Sequence, residues 1–381
     1  MDENTKLEIK KPFDKLQHFP DHNCIDNIDH PSHARPGIHP FPDRLYVVTT
    51  VFNPLRFRNR YWNYWTFENM VDKAGAILYT VEIAFGDRHF EITDPDNPHH
   101  LQLRARENQE IWLKENSLNL LINRLPPEAK YIAWIDSDLN FARPDWAQET
   151  LHLLQHYYFL QMFSHAQDIG PNYEPIVTTP GYIYAKYEQL DNNFNDSIGK
   201  DCNNTTTNDN DVTNHYYYGV EKKLGKEVGW KYRHPGFCWA ARREALNWVG
   251  GLIDWTILGS GDWIMACALM EEVRNTINSG YSETYKNLCY TWEGRCKKYI
   301  RRNVGYMPGT VYHSWHGKKI NRNYDRRWGL LVETKYDPLV DLKRDVQGLY
   351  QLVDTGEERS IILRDGLRRY AKMRREDDME K

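Results

Sequence analysis

An apolar run that ends in two aspartates is the feature that most constrains the fold of this chain. Residues 131–138 read YIAWIDSD, so five apolar or small residues lead directly into Asp136 and Asp138 with one serine between them. A run of this length predicts a strand buried on both faces, as in parallel sheets covered by helices. Ligands in open α/β sheets bind at the carboxyl ends of such strands. We therefore expect both aspartates to lie at a ligand-binding edge.

Predicted strands and helices alternate from residue 45 onward. Strands are predicted at 45–51, 76–83, 131–135 and near 306–312, with further short ones in FLQMF and PIVTT. Helices are predicted near 104–124, 145–157 and 262–279, and GFCWAARREALNWVGG predicts a strand followed by a helix. This alternation indicates a Rossmann-like α/β fold with a mostly parallel sheet flanked by helices.

Three segments depart from the alternation. Residues 1–42 are rich in Pro and His without periodicity and are predicted to form an extended N-terminal arm. Residues 191–214 are rich in Asn, Asp and Thr and are predicted to form an insertion loop. Residues 331–381 are predicted to form a helical, charged C-terminal extension. The α/β domain is thus expected to span residues 43–330.

Composition limits the classes of function. The chain has 381 residues, 40% of them hydrophobic, which suffices for a large core, and its net charge of −4 gives no general attraction to nucleic acid or anionic membranes. The six cysteines show no C-x-x-C spacing, and no stretch resembles a signal peptide or a membrane helix, so we expect a cytoplasmic protein with reduced thiols. The 13 Trp and 25 Tyr suit either stacking on sugars and bases or a tyrosine-rich core.

Asp136 and Asp138 form one of three D-x-D triplets in the chain. The other two lie in polar loops, whereas the predicted strand that ends at residue 135 fixes the geometry of this pair. Two carboxylates held in this way can meet one divalent cation together with a ribose or a diphosphate. The pair is therefore a candidate metal and nucleotide site.

A further metal ligand is expected from VYHSWHGKK, which places His313 and His316 after a predicted strand. Imidazole beside carboxylate favours Mn²⁺ over Mg²⁺. The alternative for either histidine is a buried, hydrogen-bonded side chain. The basic residues that follow, Lys318, Lys319 and Arg322, favour a diphosphate nearby.

A candidate general base lies in GGLIDWTILGSGDW. Gly259, Ser260 and Gly261 precede Asp262 at the predicted start of a helix. An aspartate there can be a helix N-cap, worth about 1 kcal/mol. It can also accept a proton from an incoming hydroxyl, and the neighbouring segments favour this second role.

In their order along the chain, these segments resemble the GT-A glycosyltransferases, and family-2-like enzymes in particular. The resemblance spans residues 45 to about 325 and rests on YVVTTVFNP, KENSLNLLINRLPPEAKYIAWIDSD, FCWAARREALNWVGGLIDWTILGSGDW and VYHSWHG. It implies a GT-A-like fold with a nucleotide-binding half at 43–141 and an acceptor half at 142–330. It also implies transfer of a sugar from a nucleoside-diphosphate sugar, with UDP-sugar favoured, to a hydroxyl of a glycan or protein.

The resemblance further implies roles for the site residues. Asp138 is expected to hold Mn²⁺ or Mg²⁺, and Asp136 to contact the nucleotide beside the metal. His313 or His316 is expected to be a further metal ligand, and Asp262 to be the base of an inverting transfer. The usual acidic doublet of the base motif is here a single aspartate, which departs from the family pattern.

Nucleotide contacts are also expected from the first strands and from two lysines. Thr50 and Asn53 in TTVFNP suit the ribose and base, and Glu82 suits a uracil N–H. Lys114 and Lys318 suit the diphosphate. The alternative for Glu82 and Lys114 is an ordinary solvent-facing position.

Three other functions remain open. One is glycosylation of a hydroxymethylated DNA base, which is known among viral GT-A-like enzymes. Seven basic residues in 359–375 and an Asn-rich tract, as in AT-rich viral genomes, favour it, whereas the net charge disfavours it. A metal-dependent phosphohydrolase would need more acids near Asp136. A sugar-binding protein without turnover would fit the aromatic content.

Overall fold

A computed structural model describes residues 43–188, 222–223, 226–227, 233–322 and 327–379. The predicted extended arm at 1–42 and the Asn-rich insertion at 191–214 lie outside the described residues. Residues Arg44–Lys381 form one compact unit, and the other unit, Met1–Asp43, is described only at its last residue.

Strands and helices alternate through this compact unit. The strands are β1 Leu45–Phe52, β2 Ile77–Phe85, β3 His100–Ala105, β4 Tyr131–Ile135, β5 Leu139–Phe141, β6 Phe159–Gln161, β7 His165–Ile169, β8 Pro175–Pro180, β9 Lys222–Lys223, β10 Lys226–Glu227, β11 Cys238–Arg242, β12 Val304–Tyr306, β13 Thr310–His313, β14 Leu342–Arg344 and β15 Tyr350–Leu352. The α-helices are α1 Arg58–Lys73, α2 Lys114–Ile122, α3 Trp146–Leu153, α4 Tyr182–Tyr187, α5 Arg243–Val249, α6 Gly261–Leu269, α7 Glu283–Arg295, α8 Gly329–Glu333, α9 Pro338–Asp341 and α10 Glu358–Met373.

A seven-stranded sheet in the order β12-β6-β11-β4-β1-β2-β3 lies at the centre of this unit. The pairings β12–β6, β4–β1, β1–β2 and β2–β3 are parallel, while β11 runs antiparallel to both of its neighbours. Helices α1 and α2 both pack on β1 and β2. The predicted α/β fold with a mostly parallel sheet flanked by helices is therefore confirmed.

Both faces of the central strands β1 and β4 are buried. Val48 and Ile132 belong to one hydrophobic core, Val47 and Ala133 belong to another, and all four are fully buried. Successive residues of a strand point to opposite faces, so the two cores lie on opposite sides of the sheet. This explains the largely apolar sequences of β1 and β4, since both faces of these strands are almost wholly buried.

A second, four-stranded sheet has the order β5-β13-β7-β8. The chain passes from β4 in the large sheet to β5 in the small one through the segment from Asp136 to Asp138. Strand β13 pairs with β5 on one side and β7 on the other, so His313 lies opposite Leu139 and Asp168. The junction between the sheets therefore gathers residues that are far apart in sequence.

The predicted helix near 104–124 is wrong in its first half. His100–Ala105 form β3, parallel to β2, and helix α2 begins only at Lys114. The residues HLQLRA alternate between buried and partly exposed positions. This period of two fits an edge strand with one buried face rather than a helix.

Two other predicted elements differ in extent. The helix near 262–279 ends at Leu269, and a 3₁₀ helix follows at Val273–Thr276. The strand near 306–312 is divided into β12 and β13, which belong to different sheets. Pro308 cannot donate to a strand ladder, and Gly309 takes a φ of +141°, so the chain turns between the two strands.

The C-terminal residues are only partly helical. Helices α9 and α10 fall in the predicted helical extension, but so does the antiparallel pair β14–β15. The whole segment belongs to the same compact unit as the large sheet.

The described residues contain four cysteines, and all four are buried free thiols: Cys238, Cys267, Cys289 and Cys296. None of the helices in the described part of the chain combines the length and the apolar character that crossing a membrane requires.

Candidate active site

Three side chains that could bind one metal ion meet at the junction of the two sheets. One ligand atom from each of Asp138, His313 and His316 lies within 4.8 Å of the other two. The Nε2 atoms of His316 and His313 lie 3.0 and 3.7 Å from Asp138 Oδ2, and 2.9 Å from each other. We call these three residues the metal triad. The sequence predicted either histidine as a ligand, and the structure brings both to Asp138.

Strand pairing explains how these distant residues meet. In the ladder between β13 and β5, His313 lies opposite Leu139, and Ser314 donates its backbone N–H to the Asp138 carbonyl at 2.8 Å. Gly317 then turns the chain at a φ of +86°, at a place where a Cβ would meet the Arg375 carbonyl oxygen at 2.6 Å. Only glycine fits this turn without displacement, so it sets the path of the chain next to His316.

Opposite charges within the triad control its protonation. Burial by itself would raise the pKa of Asp138, but the two imidazoles hold the pKa of this carboxyl well below its usual range. Burial would lower the pKa of His313, but the carboxylates of Asp138 and Asp168 raise it above its ordinary value. Burial and the nearby Arg322 guanidinium lower the pKa of His316. Asp138 is therefore ionised, as a metal ligand must be.

The donor set of the triad fits a divalent transition-metal ion. Asp138 Oδ1 is buried and has no hydrogen-bond partner among the described residues, which is costly unless a ligand meets it. Two imidazoles beside one carboxylate suit Mn²⁺, Fe²⁺ or Zn²⁺ better than Mg²⁺ or Ca²⁺. Three protein ligands also leave coordination positions for a substrate.

Asp136 lies outside the triad and forms an ion pair instead. Its carboxylate contacts the Lys114 ammonium, and its backbone N–H donates to the Phe237 carbonyl at 3.0 Å. Burial raises the pKa of Asp136, and the positive charge of Lys114 opposes that rise. Burial would lower the pKa of Lys114, but Asp136 and Glu115 raise it. Two residues predicted as separate nucleotide contacts are thus paired with each other beside the triad.

A shallow cleft that is open to solvent lies beside the triad. It is lined by Lys114, Glu115, Trp134, Gly236, Phe237, Trp239, Leu252, Ile253, Gly261, Asp262 and Met265. Phe237 joins the two sites, since it lines the cleft and its ring stacks on His313 with 4.6 Å between centroids. Its φ of +75° is uncommon for a bulky residue, and such backbone strain clusters at functional sites.

Asp262 faces this cleft from the first turn of α6. The N-cap position belongs to Ser260, so the alternative role of Asp262 as the cap is not the one observed. Its Oδ1 accepts the backbone N–H of Trp263 at 2.8 Å. Its Oδ2 lies so close to Gly236 that a Cβ there would overlap it. The lack of a side chain at Gly236 therefore makes room for this carboxylate.

Glu115 is a second carboxylate in the cleft, which sequence reasoning missed. Only 8% of it is exposed, and the Trp112 indole N–H donates to its Oε2 at 3.0 Å. Burial raises the pKa of Glu115 to about 7, so this acid titrates near neutral pH. Little in the sequence could have identified Glu115 as a buried site residue, because a charged residue in the first turn of a helix is usually solvent-exposed.

Glu82 is hydrogen-bonded within the protein through its carboxylate. Its buried carboxylate accepts hydrogen bonds of 2.7–3.1 Å from the backbone N–H groups of residues 91–93 and from the Thr93 hydroxyl. It is therefore not the solvent-facing residue that the sequence offered as the alternative. In this conformation Glu82 holds the 91–93 segment against β2.

The remaining predicted nucleotide contacts, Asn53, Thr50 and Lys318, each have different neighbours. Asn53 closes a turn by exchanging two hydrogen bonds of 2.9 Å with the backbone of Phe57. The Thr50 hydroxyl lies 2.9 Å from that of Ser117. Lys318 is half-buried in the loop after His316. A second shallow cleft opens beside Asn53.

No protein-family model matches the sequence, and no curated protein matches it. Solved structures do match, and two of them are of Drosophila β1,4-galactosyltransferase 7.

One of these structures is a mutant in complex with manganese, UDP-Gal and xylobiose, at 11% identity and a TM-score of 0.29, covering 60% of this chain and 62% of that one. The other is the catalytic domain in complex with xylobiose, at 12% identity and a TM-score of 0.28, covering 61% and 62%. The chain thus spans less than two thirds of the solved chains it matches. At this identity and TM-score, the similarity does not indicate a function, a family-2 relationship or a viral source for this chain.

Proposed function

We propose that this chain is a metal-dependent glycosyltransferase of GT-A-like fold. It would move a sugar from a nucleoside-diphosphate sugar, with UDP-sugar favoured, to a hydroxyl of a glycan or protein. The observation that carries the proposal is the metal triad at the carboxyl end of β4, beside a cleft that contains Asp262. This pairing meets two demands of sugar transfer, namely neutralising a leaving diphosphate and removing a proton from the acceptor.

The triad side of the site would bind the diphosphate. Asp138, His313 and His316 would hold a divalent cation, which neutralises negative charge on a leaving phosphate oxygen without proton transfer. Lys114 adds a positive charge next to the triad, and its contact with Asp136 keeps the ammonium in place. Because the Lys114 charge is met by Asp136, the bound cation would be the main positive charge for a diphosphate, with Lys114 as a secondary contact.

The cleft side of the site would activate the acceptor. The acceptor oxygen forms a bond to the anomeric carbon, the bond from that carbon to the diphosphate oxygen breaks, and the acceptor proton passes to the Asp262 carboxylate. Because Oδ1 accepts the Trp263 N–H, Oδ2 is the oxygen left to take this proton. Attack on the face opposite the leaving group would invert the anomeric configuration.

The walls of the cleft favour a sugar-containing acceptor. Trp134, Phe237 and Trp239 line it, and aromatic rings offer flat apolar faces with few rotatable bonds. Polar groups are confined to Lys114, Glu115 and Asp262. Flat apolar walls with a few polar groups suit a pyranose ring that carries hydroxyls at its edge.

A DNA acceptor is the second possibility, and the C-terminal arginines weigh against it. The arginines of residues 359–375 mostly lie in ion pairs: Arg359 with Asp341, Arg364 with Asp365, Arg368 with Glu110 and Arg374 with Glu376. Arginines whose charge is met by neighbouring carboxylates have less to offer to phosphates.

Two other classes make different demands on the site. A phosphohydrolase that uses two metals needs a second cluster of ligands, and within the described residues the triad is the one such cluster. A sugar-binding protein needs no base, so Asp262 would be dispensable there.

The test is a screen of nucleotide sugars with and without Mn²⁺, in which release of the nucleoside diphosphate is measured. Glycans, peptides and hydroxymethylated DNA would be added in turn as acceptors. We expect Mn²⁺-dependent release from at least one donor, and its loss in Asp138→Ala. Binding without release would indicate a sugar-binding protein, and release of inorganic phosphate would indicate a phosphohydrolase.

A further inference from the structure

We infer that Asp168 is a positioning residue for the metal triad, and that its carboxylate fixes the His313 imidazole so that Nε2 faces the metal. The inference rests on the proposed metal-dependent function. No sequence motif indicated Asp168. It lies in β7, which is far along the chain from both the D-x-D segment and the late histidines.

The hydrogen bond between the two side chains sets the protonation of the ring. Asp168 Oδ1 lies 2.8 Å from His313 Nδ1, and both residues are buried, at 7% and 5% exposure. An ionised carboxylate can only accept, so Nδ1 carries the proton. A histidine that binds a metal is neutral, and with its proton on Nδ1 the ring presents its lone pair at Nε2, which is the atom that faces Asp138 and His316.

The backbone holds Asp168 in the place this requires. Asp168 and His313 lie directly opposite each other in the parallel ladder between β7 and β13. The pairing of β7 with β8 shifts register between Asp168 and Ile169. Irregularities of this kind re-aim side chains and are over-represented next to active sites.

Two contacts together define the orientation of the His313 ring. Phe237 stacks on its face, which restricts the ring plane, and Asp168 selects which edge points to the triad. Without Asp168, the ring could rotate by half a turn and keep its stacking. A carbon atom would then lie near the present position of Nε2, and the triad would lose a ligand.

The His316 ring has a longer carboxylate contact at Nδ1, so it is less firmly oriented than the His313 ring. Glu376 Oε2 lies 3.7 Å from His316 Nδ1, whereas Asp168 Oδ1 lies 2.8 Å from His313 Nδ1. The Arg322 guanidinium lies 3.1 Å from His316 Nδ1 and 2.9 Å from His316 Nε2, so binding of a metal ion through His316 Nε2 requires this guanidinium to move away. Loss of a carboxylate behind a metal-bound histidine typically costs about 10- to 100-fold in metal affinity.

The test compares Mn²⁺ affinity by calorimetry, without nucleotide, in the wild type, Asp168→Ala and Asp168→Asn. Ser164→Ala is the matched control, because Ser164 is buried in the same segment and its hydroxyl bonds to Gly309 outside the triad. We expect Kd to rise about 10- to 100-fold in Asp168→Ala and to be unchanged in Ser164→Ala. If Asp168→Ala does not fold, the isosteric Asp168→Asn serves in its place, with weaker binding again expected.

A second readout separates positioning from a merely structural role. In the Zn²⁺-loaded protein, NMR should show a downfield His313 Nδ1–H signal that exchanges slowly with water, and Asp168→Ala should lose it. Equal Kd values for the folded variants and the wild type would overturn the inference and leave the proposed function standing. If the wild type itself failed to bind Mn²⁺ or Zn²⁺, the proposed metal site and the inference would both fall.

Discussion

The Nε2 atoms of His313 and His316 lie 2.9 Å apart and face the same carboxylate oxygen of Asp138. At this separation the two nitrogens cannot both direct a proton at each other, so at least one presents a lone pair. Buried lone pairs that converge with a carboxylate are costly unless a cation or a proton meets them, and at His316 Nε2 the Arg322 guanidinium, 2.9 Å away, is such a cation. The predictions below follow from this arrangement and from the charged groups around it.

Asp138→Ala should weaken Mn²⁺-dependent binding of UDP by more than the roughly 100-fold typical of losing an outer partner of a metal ligand. The thermal midpoint should fall but the variant should still fold, because the substitution also removes the contacts of Asp138 Oδ2 with both imidazoles. Calorimetry and thermal unfolding measure the two effects. Asp96→Ala, in an exposed D-x-D triplet, is the control and should bind as the wild type does. Unchanged affinity in Asp138→Ala would exclude the triad as the metal site.

Asp262→Asn should reduce turnover, because it removes the proton acceptor. Gly236→Ala should reduce turnover as well, because its Cβ would overlap Asp262 Oδ2 and displace it. Loss of a general base typically lowers kcat by about 10²- to 10⁴-fold. The double variant should be little worse than either single one, since both remove the same group. Gly294→Ala, where a Cβ would meet nothing within 4 Å, is the matched control.

The measurement for these glycine variants is kcat, together with the Mn²⁺ and UDP Kd values, which should stay unchanged. Full transfer activity in Asp262→Asn, or retention of the anomeric configuration in the product, would show that the proton goes elsewhere.

Glu115→Gln should remove a decline in stability between acid and neutral pH. The folded pKa of Glu115 is about 7, above its ordinary value of 4.5, so the folded protein keeps a proton that the unfolded chain releases as the pH rises through this window. Stability therefore falls from about pH 4.5 to about pH 7, by an amount on the order of 3 kcal/mol for this group. The neutral glutamine has no such dependence.

Urea unfolding from pH 4.5 to 8 measures this effect. The stability of Glu115→Gln relative to the wild type should increase with pH, whereas the exposed Glu128→Gln should follow the wild type. Parallel curves for Glu115→Gln and the wild type would mean that Glu115 titrates normally.

Glu376→Gln should destabilise the protein strongly. Glu376 is fully buried, its Oε1 lies 2.7 Å from Arg60 and 2.5 Å from Arg374, and these two arginines hold its pKa well below its usual range although burial opposes them. Removing one partner from a buried ion pair costs about 3–5 kcal/mol, because the remaining charge is left uncompensated. Chemical denaturation should show a loss of this size. The exposed Glu358→Gln, at the start of α10, should change stability by less than about 0.5 kcal/mol.

Local sequence determined the strand that presents the two aspartates and the helix that begins near Asp262. Strand β4 occupies residues 131–135 as predicted, because a short apolar run bounded by charge has few other ways to be buried. The segment around β11 and α5 was also predicted correctly, since its period changes from strand to helix within a few residues. These features depend on neighbouring residues alone.

Tertiary structure alone decided which side chains share the site. His313 reaches Asp138 through the pairing of β13 with β5, and Asp168 reaches His313 through the pairing of β13 with β7. The local sequence pattern predicts neither pairing, because strand partners are selected by the packing of the whole sheet. The burial of Glu115, the pairing of Lys114 with Asp136 and the space beside Gly236 have the same origin. Each depends on contacts between segments that are separated along the chain, and the local sequence does not show which of these segments meet in space.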